Sequence, residues 1–138
     1  MQTVFDPLRK KHIALTPEEQ VRQWCIQTLS SQCGVPMHMM MSEAGLTLGT
    51  KRFRADLIVY DRNVRPLMVV ECKRPEVELS PEVLDQAIRY NMVLNVRYIM
   101  ITNGLRTCVC RRAGTAEKVQ YVFVDSVPSY EEMLCQQQ

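Results

Sequence analysis

The segment RADLIVYDRNVRPLMVVECKRP, residues 54–75, constrains this chain more than any other. Two short apolar, β-branched runs, LIVY and LMVV, flank the polar, turn-prone Asp61-Arg62-Asn63, and Pro66 admits the second run, so the segment reads as a β-hairpin. Side chains alternate faces along a strand, which sends Glu71 and Lys73 to one side and Cys72 to the other. Fourteen residues lie between Asp56 and Glu71. Folding back at residues 61–65 therefore sets the two carboxylates level on neighbouring strands, with the Lys73 amine beside them. VVECK places the triplet at the end of an apolar, central strand, where unpaired charge is costly and needs a partner or a metal.

Two carboxylates and an amine in one place suit phosphodiester chemistry. Mg²⁺, or Mn²⁺ in its stead, is held by one or two carboxylates together with water and substrate phosphate, which fits Asp56 and Glu71, with the Cys72 carbonyl as a third ligand. Such an ion lowers the pKa of a bound water, neutralises phosphate and orients attack. Lys73 is then placed to polarise the water or stabilise charge at phosphorus. The alternative is a solvent-exposed strand edge on which Glu71 and Lys73 form an ordinary ion pair. Two close carboxylates repel without their ion, so Asp56→Asn is expected to leave the fold intact or to stabilise it.

Beyond the hairpin, Gln86-x-x-x-Tyr90-Asn91 and Thr102-Asn103-Gly104 follow, and Asp6-Pro7-Leu8-Arg9-Lys10 and Leu15-Thr16-Pro17-Glu18-Glu19-x-Val21-Arg22 precede it. With Arg54-Ala55-Asp56 and Glu71-Cys72-Lys73-Arg74-Pro75, this pattern resembles the N-terminal domain of the type I restriction enzyme R (motor) protein, a PD-(D/E)xK nuclease similar also to the RecB-type nuclease module. Ala55 stands where the superfamily's name has Pro, which leaves the acidic ligand in place. The resemblance implies a metal-dependent deoxyribonuclease with Asp56, Glu71 and Lys73 as the catalytic set and DNA as substrate. It also implies that Gln86 and Tyr90 contact the DNA backbone or order the lysine and water. No Walker-type GxxxxGK[ST] occurs and the chain leaves no room for a motor, so motor and restriction subunits are expected as separate partners, with a homodimer as a further option.

Composition is compatible with one domain spanning residues 1–138, with residues 1–14 as an N-terminal arm and residues 135–138 as a flexible tail. The chain is 46% hydrophobic and 23% charged, ordinary values for a compact domain of this length. No apolar run approaches the roughly eighteen residues of a membrane span, and MQTVFDPLRKKH has no signal-peptide core, so a cytoplasmic protein with no membrane partner is expected. Six cysteines without CxxC spacing read as reduced, mostly buried thiols. Cys108-x-Cys110 lacks the second pair that zinc requires. A net charge of +2 announces nothing, but basic residues cluster around the hairpin. Arg52, Arg54 and Arg74 are expected to touch phosphates without reading bases, Arg9-Lys10-Lys11 forms a second basic patch and Arg111-Arg112 a third, the alternative for any one of these residues being a solvated surface of mixed charge.

The remaining pattern supplies a scaffold. Thr16-Pro17-Glu18-Glu19 predicts a helix to about Ser31, with Thr16 as N-cap and Glu19 curling back as its capping-box partner. Val21, Trp24, Cys25, Thr28 and Leu29 make its sheet-facing stripe. Glu18 borders that stripe and is the better candidate for an acidic group supporting the site, the alternative being a surface Glu18–Arg22 pair. Glu43, on the predicted strand Met37 to Leu48, either supports the site or binds water. His38 reads as packed or solvent-exposed. A second helix runs from Ser80-Pro81 to about Asn95, with Val83, Leu84, Ala87, Ile88 and Leu94 buried. Gln86 and Tyr90 share one flank of it; without the resemblance, Tyr90 is core packing with a wet hydroxyl. Strands follow at Tyr98 to Thr102, Leu105 to Arg111 and Val119 to Val124, with a hairpin signal at Asn103-Gly104. Ser129-x-x-Glu132 caps a last short helix. The predicted fold class is α/β: helix, three strands, helix, two or three strands, a mixed sheet flanked by helices in the order of the restriction-endonuclease-like core. The chief rival to a nuclease is a nucleic-acid-binding or protein-interaction module that keeps this fold without turnover. A purely structural subdomain of a restriction assembly is the third reading.

Overall fold

The computed structural model describes residues 1–135. Its elements are β1 (Thr3–Asp6), β2 (Lys11–Ala14), α1 (Pro17–Ser31), a 3-10 turn (Met37–Met39), β3 (Met40–Leu48), β4 (Lys51–Tyr60), β5 (Pro66–Cys72), α2 (Pro81–Met92), β6 (Tyr98–Thr102), β7 (Thr107–Gly114), β8 (Val119–Val124) and α3 (Tyr130–Cys135). The expected order of helix, three strands, helix and three strands is therefore present. Strands β3 to β8 form one six-stranded sheet in sequence order. All its neighbours are antiparallel except β5 and β6, which run parallel, joined by the α2 crossover.

The sheet is covered on both faces. Val21, Cys25, Ile26 and Leu29 of α1 and Met133 of α3 pack with Leu57, Val59, Met68 and Val70. On the other side Leu84 and Ala87 of α2 pack with Ile58, Val69, Ile99 and Ile101. All five residues of β6 are buried, as a strand covered on both faces should be.

Several boundaries differ from the sequence reading. The expected N-terminal arm, residues 1–14, contains a hairpin: β1 and β2 pair antiparallel, Thr3 with Ala14 through Asp6 with Lys11, and Asp6 is completely buried. The 3-10 turn takes the first three residues expected of β3. Leu105 and Arg106 belong to a turn in which Asn103 Oδ1 accepts from both of their backbone N–H groups, at 2.9 and 2.7 Å. Gly104 enters this turn at φ +88°. Cys135 ends α3, and the rest of the expected tail lies outside the described residues.

The buried stripe of α1 is rotated from the one expected. Trp24 is 42% exposed, Thr28 is only partly buried, and Arg22 and Ile26 are buried instead. Apolarity alone favoured Trp24, but the helix turns Arg22 inward, toward carboxylates that can compensate its charge. Its N-cap is half of a capping box. Thr16 Oγ1 accepts from Glu19 N–H at 3.1 Å, whereas the Glu19 carboxylate turns away to two arginines. At α3 the box is complete, with Ser129 Oγ accepting from Glu132 N–H and Glu132 Oε1 accepting from Ser129 N–H.

Candidate active site

The site begins where β4 and β5 part. Their ladder ends at the pair Leu57 and Val70, one residue short of Asp56 and Glu71. Beyond it the Cys72 N–H has no β4 carbonyl opposite, and Asp56 Oδ2 accepts it at 2.7 Å. The next N–H, that of Lys73, turns to the other neighbour and donates to Thr102 O at 2.8 Å. Alternation along β5 sends Glu71 toward α2 and Cys72 toward α1, where its Sγ lies 3.9 Å from Cys25 Sγ. That contact and deep burial push the Cys72 thiol pKa far up, so the side chain is an inert core group and only its backbone faces the site.

Asp56, Glu71, Cys72 and Lys73 line one open cavity of about 540 Å³, together with Glu18, Arg54, Arg74, Gln86, Tyr90 and Asn91. The side chains of Asp56, Glu71 and Lys73 are 22%, 23% and 33% exposed, wet enough to meet a ligand and enclosed enough to be held. Lys73 Nζ pairs with Glu71 Oε2 at 2.8 Å. The other Glu71 oxygen accepts from Asn91 Nδ2 at 3.0 Å, and Asn91 is anchored by donating also to Ala87 O at 2.8 Å.

Asp56 is held differently. Its Oδ1 accepts from Arg22 Nη2 at 3.1 Å. The Arg22 guanidinium also pairs with Glu19, with Glu43 at 3.4 Å and, more loosely, with Glu18 at 3.7 Å. Arg9, from the turn of the N-terminal hairpin, binds Asp6, Glu19 and Glu43 together. Burial opposes charge on Glu43, but the hydrogen bond from Arg54 and the charges of Arg22 and Arg9 outweigh it and hold its carboxyl below the ordinary value. Asp6 behaves likewise: burial is outweighed by bonds from Arg9 and Leu8. For Arg22 burial favours deprotonation, yet Asp56, Glu19 and Glu43 raise its pKa above the ordinary value. Since Arg22 compensates Asp56, neutralising that carboxylate removes an ion pair, and the expectation that Asp56→Asn leaves stability unchanged or raised is reversed.

The structure sorts the other expected residues. Glu18 lines the cavity, half-exposed, and is also the weak partner of Arg22, so both of its expected roles are geometrically open. Gln86 and Tyr90 lie on the α2 wall; the Tyr90 ring rests 5.5 Å from Phe53 and its hydroxyl accepts from Arg54 N–H at 3.4 Å. Arg54 is exposed but ion-paired to Glu43, and Arg74 pairs with Glu76 at 2.6 Å. Arg52 lies in an adjoining depression with Phe53 and Tyr90, outside the carboxylate cavity. Arg9 is no part of a free basic patch, since each of its three guanidinium nitrogens donates to a carboxylate. His38 is exposed in the 3-10 turn. All six cysteines are free thiols, four of them buried.

Arg22, Glu19 and Asn91 are the supporting residues that sequence reasoning gave no role at the site. A signal was present in two of them. Arg22 recurs with Cys25, Ile26 and Leu29, and Asn91 with Leu84 and Ala87, at helical spacing on a buried stripe. A charged or amide side chain on such a stripe requires a polar partner inside.

The donor set suits a hard cation better than a soft one. Of the three carboxylates that line the cavity, those of Asp56 and Glu71 each have one hydrogen-bond donor per oxygen and lone pairs to spare. Among the described residues no three His, Cys, Asp or Glu side chains gather as a cage, which Mg²⁺ does not need, because it retains water and phosphate as ligands.

Comparison with known proteins gives one result on each side. No curated protein matches the chain. The family model for the N terminus of the type I restriction enzyme R protein matches residues 17–128, which takes in α1, the whole six-stranded sheet, α2 and every residue of the cavity. The chain belongs to the type I restriction enzyme R protein N-terminal family.

Proposed function

We propose that this domain is a metal-dependent DNA nuclease. The observation that carries the reading is the opening of the β4–β5 ladder, where Asp56, Glu71 and Lys73 face one cavity on a restriction-enzyme family fold. Asp56 and Glu71 would hold Mg²⁺ or Mn²⁺, with the Cys72 carbonyl as a further ligand. When bound, such an ion supplies an activated water and neutralises the phosphate under attack.

The chain's own residues do the rest. Lys73 keeps Glu71 in place and presents its remaining N–H groups to the cavity, where they stabilise negative charge developing on the phosphate. Asn91 holds the far oxygen of Glu71, leaving that carboxylate one orientation. Gln86 and Tyr90 on one wall and Glu18 on another bound the space for a DNA strand. Arg54 and Arg74 at the cavity and Arg52 in the adjoining depression contact phosphates, which gives affinity without sequence reading. A motor and other restriction subunits would deliver the DNA. No described helix is long and apolar enough to cross a membrane.

A second reading rests on a specific observation: both carboxylates already have cationic partners, Arg22 and Lys73. Compensated charges of this kind also suit a binding module without turnover. Calorimetric titration with Mn²⁺, followed by incubation with plasmid and single-stranded DNA, separates the two. Uptake of metal with nicking or degradation is expected. DNA binding without metal uptake or cleavage would establish the module instead.

A further inference from the structure

The N-terminal hairpin lies outside the residues that the family model matches, yet it reaches the site. At its turn the buried Asp6 accepts from Leu8 N–H at 2.7 Å, from Arg9 N–H at 3.1 Å and from Arg9 Nε. With Nε fixed there, the two ends of the Arg9 fork have defined targets: Nη2 donates to Glu19 at 2.8 Å and Nη1 to Glu43 at 3.1 Å. The same two carboxylates bind Arg22, whose Nη2 then donates to Asp56. A planar guanidinium tied at three nitrogens has one orientation, and it transmits that constraint to the groups it holds.

We propose that Arg9 is a positioning residue for the Asp56–Glu71 centre, acting through Glu19 and Glu43 on Arg22 and so on Asp56. Without Arg9, Glu19 and Glu43 lose the cation they share with Arg22. The Arg22 guanidinium is then drawn toward them and away from Asp56, whose second anchor is the bond to Cys72 N–H. The geometric part of this proposal stands independently of the nuclease reading; the effect on metal affinity rests on that reading.

The Cys72 amide provides the test, because its acceptor is the Asp56 side chain, whereas the next amide, Lys73, donates to the backbone of Thr102. In the full chain carrying Arg9→Met, native-state hydrogen exchange at Cys72 should accelerate on the order of tenfold while Lys73 stays near its wild-type rate. Mn²⁺ affinity by calorimetry should fall about 10–100-fold, as it does when a group supporting a ligand is lost. Should Arg9→Met fail to fold, Arg9→Lys keeps a charge beside Asp6 but lacks the planar fork whose separate nitrogens reach Glu19 and Glu43, and should give the same pattern at smaller amplitude. Equal acceleration of both amides, or of neither, overturns the proposal, because the hairpin would then be a stabilising element only. Selective exchange at Cys72 with unchanged Mn²⁺ affinity would overturn the link to the metal centre. If the wild-type protein takes up no Mn²⁺, the nuclease reading falls and the Cys72–Lys73 comparison alone decides the role of Arg9.

Discussion

Asp56 and Glu71 are near neighbours on adjacent strands, yet the molecule holds them by unlike means. Asp56 is fixed from the α1 side by a lattice of charges in which Arg9, Arg22 and Arg54 are interleaved with Asp6, Glu19 and Glu43. Glu71 is fixed from the α2 side by a neutral amide and by one partly exposed lysine. A lattice whose inner members, Asp6, Glu19 and Arg22, are buried is costly to disturb, since removing one of them leaves the others uncompensated. An amide costs less to lose and does not titrate. The two carboxylates can thus serve one ion while differing in what each contributes to stability.

The largest expected effect tests what they share. Asp56→Asn and Glu71→Gln should each lower DNA cleavage about a thousandfold or more, equivalent to ~4 kcal/mol of transition-state stabilisation, in single-turnover assays at saturating Mg²⁺. The same pair then exposes the difference. Asp56→Asn should lower the Tm, because the buried Arg22 loses an anionic partner, whereas Glu71→Gln should leave it nearly unchanged, because the new amide oxygen still accepts from Asn91 and the lost Lys73 pair is partly exposed. Equal melting temperatures would break the contrast.

Removing the holders sharpens it. Arg22→Met should destabilise the fold by about 3–5 kcal/mol in urea titration, the usual cost of breaking a buried charge network from one side. Asn91→Ala should cost about 1–3 kcal/mol, mostly from unsatisfied groups left behind. The reverse order would show that the α2 side carries the larger share.

The smallest effect is in acid. Glu43 and Asp6 have folded-state pKa values below their ordinary 4.5 and 3.8. Stabilisation from a depressed carboxyl is present above its unfolded pKa and lost as pH falls through the folded one. The urea midpoint should therefore be flat from about pH 7 to about pH 5 and decline below about pH 4, and Glu43→Gln should make that decline shallower. Asn91 supplies no such titration, so its substitution should leave the slope unchanged.

What was legible in the sequence follows the same divide. Asp56, Glu71 and Lys73 could be read because a hairpin fixes their register through local pattern alone. Gln86 and Tyr90 shared a helix flank, and both line the cavity. Arg22 and Glu19 were misread because the capping box and the apolar stripe are local rules, while the partners that overrule them, Arg9, Glu43 and Asp56, come from other elements. Arg9 looked like one member of a basic surface patch for the same reason: a basic tripeptide does not announce that a buried Asp6 and two further carboxylates await one member of it. The N-terminal hairpin itself has only four residues per strand, too short for alternation to show.

The parallel pairing of β5 with β6 carries a consequence for how the chain reaches this state. Strands β3 to β5 and β6 to β8 are two meanders whose pairings are local and close quickly, whereas β5 and β6 can meet only after the chain has traversed α2. Until they do, two apolar strand edges stand open at what will become the centre of the sheet, and newly made chains are most vulnerable to mutual association in that interval. In pulse-labelled exchange during refolding, amides bridging β3 and β4 should gain protection before those bridging β5 and β6, and crowding the refolding mixture should trap chains at that stage. Simultaneous protection would mean that the two halves do not form as separate units. The seam that opens to create the site is thus bordered by the last joint of the sheet to close.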